Sequence, residues 1–328
     1  MKIQLAILGL GQIGSSVGMA LAKYKENIHR VGHDKSRKAV NFAKENDVVD
    51  KITLTLSNAV KDADIILLAL PLQEIQPVLE HIALDLKEGA LVIDTAPLKV
   101  PVLGWIEETL PQRANYVGFT PVIKAAYLEE WKYGPEVAHA DLFENSLMGL
   151  VSGRKTTEKS INMAINFAQL LGATPYFSDA AEMDGLMSTT HLLPQLLAAS
   201  LLKISLDSPG WREARKFAGK IYSQLTNSFG QDDLPGELAS AVINNQENTI
   251  RLINDLIRSL IDIRDLTETS DQEKLDEIFT KLQQGRDLWL ADRRENRWIE
   301  TPKIDVSRPG ILSQLLGFRG PKTTPEDK

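Results

Sequence analysis

The stretch IQLAILGLGQIGSS, residues Ile3 to Ser16, decides how this chain is read. Ile3 to Leu8 is short, almost wholly apolar and fits a buried strand. Gly9-Leu10-Gly11-Gln12-Ile13-Gly14 follows at once, and Ser15 to Tyr24 fits a helix. A second strand, His29 to His33, ends on Asp34, twenty residues past Gly14. Strand, glycine turn, helix and a later acid together point to a dinucleotide phosphate site. Gly9 permits the tight turn, Gly11 lets a pyrophosphate approach the backbone, and Gly14 lets helix and strand pack closely. The helix start offers free N–H groups and partial positive charge to the phosphates. Asp34 is placed to accept hydrogen bonds from the ribose hydroxyls of an adenosine.

Working outward, Ser36 to Asn46 reads as a helix and Ile52 to Leu54 as a short strand. Asp64 to Pro71 holds a continuous apolar run, expected of a strand buried on both faces of a parallel sheet. Leu70 and Pro71 end it where a cofactor lies, beyond the carboxyl ends of the strands. The expected cofactor-binding residues are therefore Gly9, Gly11, Gln12, Ile13, Gly14, Asp34, Leu70 and Pro71. A carboxylate at Asp34 repels a 2′-phosphate, so NAD is expected, while Lys35 and Arg37 beside it leave NADP open. Gln76 to Leu86 reads as a helix, Ala90 to Asp94 as a strand and Thr95 to Lys99 as the loop after it. Tyr116 to Phe119 and Leu147 to Ser152 complete a sheet of about seven strands. The long loop Pro121 to Asn145, with Tyr127, Trp131, Tyr133 and Phe143, reads equally as surface packing or as a flap over a substrate.

The pattern then turns helical. Thr156 to Leu171 is amphipathic and Gly172 is a good stop; Thr174 to Ser178 is one further candidate strand. Expected helices follow over 180–206, 209–226, 236–265 and 272–298, the first apolar enough for burial and the last charged enough for exposure. The fold class expected is an α/β Rossmann dinucleotide-binding domain plus an all-α C-terminal dimerisation domain. Its divisions are 1–152, 153–298 and an extended tail, 299–328, whose apolar piece Ile311 to Phe318 could dock on its own domain or on a partner.

Composition narrows the class. The chain has 328 residues, a net charge of −7 and no cysteine. No basic field exists for nucleic acid or an anionic membrane, and thiolate catalysis, disulfides and Cys-ligated metals are excluded. His29, His81 and His139 read as surface residues, and no pair of histidines has metal-ligand spacing. With no signal-like or bilayer-length apolar segment, a cytoplasmic protein is expected. Several apolar helices beside a dinucleotide domain suggest a homodimer.

The layout resembles the prephenate/arogenate dehydrogenase family of tyrosine biosynthesis. The residues that carry the resemblance are Gly9 to Ser16, Ala63 to Pro71, Asp94-Thr95-Ala96-Pro97-Leu98-Lys99, Val117-Gly118-Phe119-Thr120-Pro121, Leu193 to Ala198 and Asn245. It covers roughly residues 1 to 295. It implies oxidative decarboxylation: a hydride leaves the ring carbon bearing the hydroxyl for the nicotinamide, and the ring carboxylate departs as carbon dioxide. In the family a His in a Gly-His-Pro loop takes the hydroxyl proton and an Arg clamps a carboxylate. Here Thr120 stands at that His, Pro97 at a contacting Ser and Asn227 at the Arg. The family's Ser-His-Leu-Pro-His falls on His191-Leu192-Leu193-Pro194-Gln195, and Met183 replaces a further His before Asp184.

The candidate catalytic residues are His191, Thr120 and Lys99. His191 is the best remaining base, set against a buried structural His. Lys99 sits at the expected substrate mouth and could orient a carboxylate, set against a plain surface Lys. Asp184, Glu182 and Asp179 read as helix N-terminal charges. The function implied is a nicotinamide-dependent oxidoreductase acting on a small, carboxylate-bearing substrate. Two alternatives stand beside it. One is a reductase of the same two-domain plan acting on another substrate; the other is a non-catalytic dinucleotide-binding protein.

Overall fold

A computed structural model describes residues 2–130, 132–230 and 234–297. The chain divides into two compact units. Among the described residues, one comprises 2–96 and 102–179, and the other 97–101 and 180–297.

The first unit is an eight-stranded sheet. Its strands are β1 (Ile3–Leu8), β2 (Ile28–His33), β3 (Lys51–Ile52), β4 (Ile65–Leu68), β5 (Leu91–Asp94), β6 (Asn115–Pro121), β7 (Ser146–Ser152) and β8 (Ala173–Phe177). They lie in the order β3-β2-β1-β4-β5-β6-β7-β8. Only the β6–β7 pairing is antiparallel, so β7 and β8 run against the rest. Six helices belong to its sequence span: α1 (Gln12–Leu21), α2 (Arg37–Glu45), α3 (Leu56–Val60), α4 (Leu72–Ile82), α5 (Val100–Thr109) and α6 (Glu158–Leu170). Every residue of β4 and β5 is buried, the consequence of runs that are apolar on both faces. One face holds a continuous core of Leu5, Ile7, Ile65, Leu67, Ile93, Phe119 and Leu150 with Val17 and Leu21 of α1 and Phe167 of α6.

The sheet unit extends past the boundary expected at residue 152. The helix Glu158–Leu170 and the strand after it belong to the sheet, since β8 pairs with β7 from Ser146↔Ala173 to Leu150↔Phe177. Helix α4 begins at Leu72, four residues before the expected start, and carries Pro77 inside it. Helix α5 was not among the expected elements. Pro101 falls in the first turn, where its missing N–H costs nothing.

The long loop after β6 is held down rather than free. Phe143 and Leu142 are fully buried. Gln12 Nε2 donates to the Val137 carbonyl at 3.1 Å, and the His139 N–H donates to Ser16 Oγ at 3.0 Å. His139 is half-buried rather than on the surface; its ring stacks on Tyr127 at 3.9 Å and bonds Glu130. Trp131, Trp298 and the tail, including Ile311 to Phe318, lie outside the described residues.

The second unit is helical. It contains α7 (Ala180–Met187), a π-helical turn (Ser188–Leu192), α8 (Leu193–Asp207), α9 (Trp211–Ala214), α10 (Lys220–Thr226), α11 (Leu234–Asn244), α12 (Gln246–Glu268) and α13 (Gln272–Glu295). Three of the four expected long helices are interrupted. Pro194 lacks an N–H and would crowd the carbonyl four residues back, and the π turn just before it widens the helix there. Gly210 and Gly219 start the two short pieces between Ser208 and Thr226. Asn245 starts α12 and ends α11. The expected burial of the 180–206 segment fails. Leu197, Ile204 and Leu206 are exposed, as are Ile250, Ile257 and Leu260 of α12.

Candidate functional site

In the sheet unit the site grows from the turn after β1. Gly9 has φ +95°, a left-handed conformation, and a Cβ on it would lie 2.1 Å from the Ala69 carbonyl oxygen. A Cβ on Gly14 would lie 1.9 Å from the Gly9 carbonyl oxygen. Both positions therefore require glycine for the chain to close on itself. Gly11 differs: a Cβ there meets nothing within 4 Å. The open space in front of Gly11 belongs to no part of the protein, and that is the cradle a pyrophosphate needs. Gly11 is also the N-cap of α1, whose first-turn N–H groups have no side-chain cap.

Asp34 is anchored beside this turn. Its Oδ2 accepts from Leu10 N and its Oδ1 from Ser36 N, both at 2.6 Å. A carboxylate has about four acceptor positions, so ribose hydroxyls can still be received. Leu70 lies against Gly9, its Cδ2 3.1 Å from where a Cβ would stand. Pro71 N-caps α4. Ile13 packs on the hydrophobic core, so its contribution is to seat the helix. Gln12 spends its amide N–H on Val137. These residues fit a dinucleotide.

At the carboxyl end of β5, Asp94 is fully buried. It accepts from Tyr116 OH at 2.6 Å and from Ala96 N at 2.8 Å. Thr120 lies on β6, two residues past the Gly118 that pairs with Asp94. Its hydroxyl is buried and has no hydrogen-bond partner among the described residues. An unsatisfied buried hydroxyl is costly, and at this edge of the sheet a ligand can satisfy it.

In the helical unit a small pocket is lined by Pro97, Leu98, Met187, His191, Gln195 and Glu237, among others. The structure thus brings together three positions quoted for the resemblance, Pro97, His191 and Gln195. His191 sits in the π turn, a deviation often found at functional sites. Its Nε2 is 3.1 Å from Gln195 Nε2. Desolvation by crowded neighbours lowers its pKa below the ordinary value of 6.5, although its side chain is exposed to solvent. The neutral ring is therefore favoured at neutral pH.

Lys99 is not a surface residue. It is fully buried, and its backbone N–H donates to Asp184 Oδ1 at 2.5 Å. Val100 N donates to Asp184 Oδ2 at 3.1 Å. Asp184 is thus a helix N-terminal charge, as expected, but for α5 rather than for the helix that carries it. Its burial overturns the plain surface reading of Lys99.

One network was not legible in the sequence. Ser188 Oγ donates to the Asp184 carbonyl at 2.5 Å, and Asn245 Nδ2 donates to Ser188 Oγ at 2.6 Å. Asn248 then donates to Asn245 Oδ1 at 2.9 Å. The network ties the π turn bearing His191 to the start of α12. Asn245 was singled out only by position, and the 57 residues separating it from Ser188 carry no local signal. Asn227 caps the end of α10.

Comparison with known proteins places these features. Residues 17–176 match the model of the prephenate dehydrogenase nucleotide-binding domain, and residues 179–281 that of the prephenate dehydrogenase dimerization domain. The chain is 26% identical over 324 residues to prephenate dehydrogenase of Bacillus subtilis, covering 97% of this chain and 85% of that protein. It is 24% identical over 284 residues to cyclohexadienyl dehydrogenase of Zymomonas mobilis, covering 86% and 94%. Among solved structures, Aquifex aeolicus prephenate dehydrogenase in complex with hydroxyphenyl propionate and NAD+ is similar in fold. Its TM-score is 0.73 at 21% identity, over 87% of this chain and 97% of that one. The two domain models meet at the change from sheet to helices, and with them the chain belongs to the prephenate/arogenate dehydrogenase family.

Proposed function

We propose that this chain is an NAD-dependent dehydrogenase that oxidises the ring hydroxyl of prephenate or arogenate and releases the ring carboxylate as carbon dioxide. The observation that carries the reading is the pocket joining Pro97, His191 and Gln195, positions that the resemblance sets at the family's Ser and Ser-His-Leu-Pro-His. Bound NAD supplies the hydride acceptor. Gly9, Gly11 and Gly14 shape its phosphate cradle, Asp34 receives the adenosine ribose, and Leu70 and Pro71 border the turn.

His191 is assigned as the proton acceptor for the substrate hydroxyl. Its lowered pKa keeps the ring neutral at neutral pH, and the hydrogen bond that its Nε2 accepts from the Gln195 amide N–H is the bond a substrate hydroxyl would displace. Thr120 is assigned a hydrogen bond to the ligand through its unpartnered hydroxyl. Lys99 acts as a positioning residue, through the backbone bonds that it and Val100 make to Asp184. The substrate is small and carboxylate-bearing. We also infer a homodimer, supported by the exposed apolar residues of α12 and by the match to a dimerization-domain model.

The test follows formation of reduced nicotinamide by ultraviolet absorbance with NAD and prephenate, and separately with arogenate. Turnover of either, lowered about 10²- to 10⁴-fold in His191→Ala, supports the reading. Turnover unaffected by His191→Ala reassigns the base. A second reading, a dinucleotide-binding protein without this catalysis, is favoured by Thr120 and Asn227 standing at the positions of the family's His and Arg. Tight NAD binding with no turnover of either substrate would select it.

A further inference from the structure

Three cations follow Asp34 within four residues: Lys35, Arg37 and Lys38. Asp34 ends the strand that receives an adenosine ribose, so these side chains stand where a 2′-phosphate would arrive. Two of them are already engaged. Lys35 Nζ is ion-paired with Glu74 Oε1, and Lys38 Nζ with Glu136 Oε1 at 2.7 Å. The partners come from far along the chain but from the rim of the same site. Glu74 is in the first turn of α4, directly after Leu70 and Pro71. Glu136 neighbours Val137, whose carbonyl is held by Gln12 of the phosphate turn. The hydrogen bond from Lys38 holds the Glu136 carboxyl below the usual carboxylate range. Both lysine side chains are well exposed, so these pairs contribute little to stability and can be removed without unfolding the unit.

We propose that Glu74 and Glu136 are specificity-determining residues for the dinucleotide: each occupies a lysine that would otherwise bind a 2′-phosphate. They act through Lys35 and Lys38, and they reinforce the repulsion that Asp34 exerts on NADP. The proposal rests on the dinucleotide reading of the turn and deepens it. A 2′-phosphate is a doubly charged anion, and a cluster of ammonium and guanidinium groups is its natural partner. With both carboxylates in place, the six side chains of Asp34, Lys35, Arg37, Lys38, Glu74 and Glu136 cancel in charge. Without the two glutamates the cluster is net positive.

The test is calorimetric titration of the full chain with NAD and with NADP, in the native sequence and in Glu74→Gln/Glu136→Gln. NADP affinity is expected to rise about tenfold, with NAD affinity changing about twofold or less, and the gain should shrink as salt is raised. Adding Lys35→Met and Lys38→Met should erase the gain, which separates freed lysines from a general loss of negative charge. An unchanged ratio of the two affinities, equal changes in both, or a gain that survives removal of the lysines overturns the proposal. No dehydrogenase substrate enters the titration, so failure to turn over prephenate leaves this test standing. Absence of binding by either dinucleotide sinks the NAD reading, and this proposal with it.

Discussion

Gly9, Gly11 and Gly14 share one motif but answer to different constraints. The first and last are demanded by the protein's own backbone, whereas Gly11 faces open space. Gly14→Ala should therefore unfold or destabilise the sheet unit by about 2 kcal/mol or more, seen as a lowered thermal midpoint. Gly11→Ala should leave the midpoint within about 2 °C while weakening NAD at least about tenfold by calorimetry. Equal destabilisation by both variants would remove the distinction. At His191 the sign of the pH effect follows from the role proposed for it. A base must be unprotonated, so kcat/KM rises with pH through its pKa and is flat above. Because desolvation lowers that pKa from 6.5, the acidic limb should fall below pH 6.5. A limb centred above that value would point to another base.

Among the elements, the break between α11 and α12 turns on Asn245, whose side chain makes no cap bond to α12. Asn245 starts α12 and also reaches the π turn through Ser188. Asn245→Ala removes that bond and leaves Asn248 without its acceptor. A loss of about 1–2 kcal/mol in urea unfolding is expected, with a larger effect on kcat than on NAD affinity. If NAD affinity fell as much as kcat, the assignment of this network to positioning the His191 turn would fail. The same logic applies to α5, whose first N–H groups are met by a carboxylate from 84 and 85 residues away.

For the molecule as a whole, the exposed apolar row on α12 is too extensive for a free surface. Ile250, Ile253, Ile257, Leu260 and Ile261 recur at helical spacing and are all at least partly open. Ile257→Glu with Leu260→Glu should convert a dimer to monomer in sedimentation velocity, while NAD binding by the sheet unit persists. A native chain that sediments as a monomer would refute the homodimer.

The glycine turn, the buried strand Ile65–Leu68, the acid at Asp34 and the run of late helices were all legible in the sequence, because each rests on local chemistry. Glycine spacing, two-faced apolar runs and helical periodicity report on neighbours a few residues away. Several features were decided only by tertiary structure: that β8 closes the sheet, that Lys99 is buried and that Asp184 caps the start of α5. The ion pairs of Lys35 with Glu74 and of Lys38 with Glu136 belong with them. Each depends on groups brought together from 27 to 98 residues apart. Local spacing records which side chain is present, whereas burial and partnership are set by which distant segment the fold lays against it.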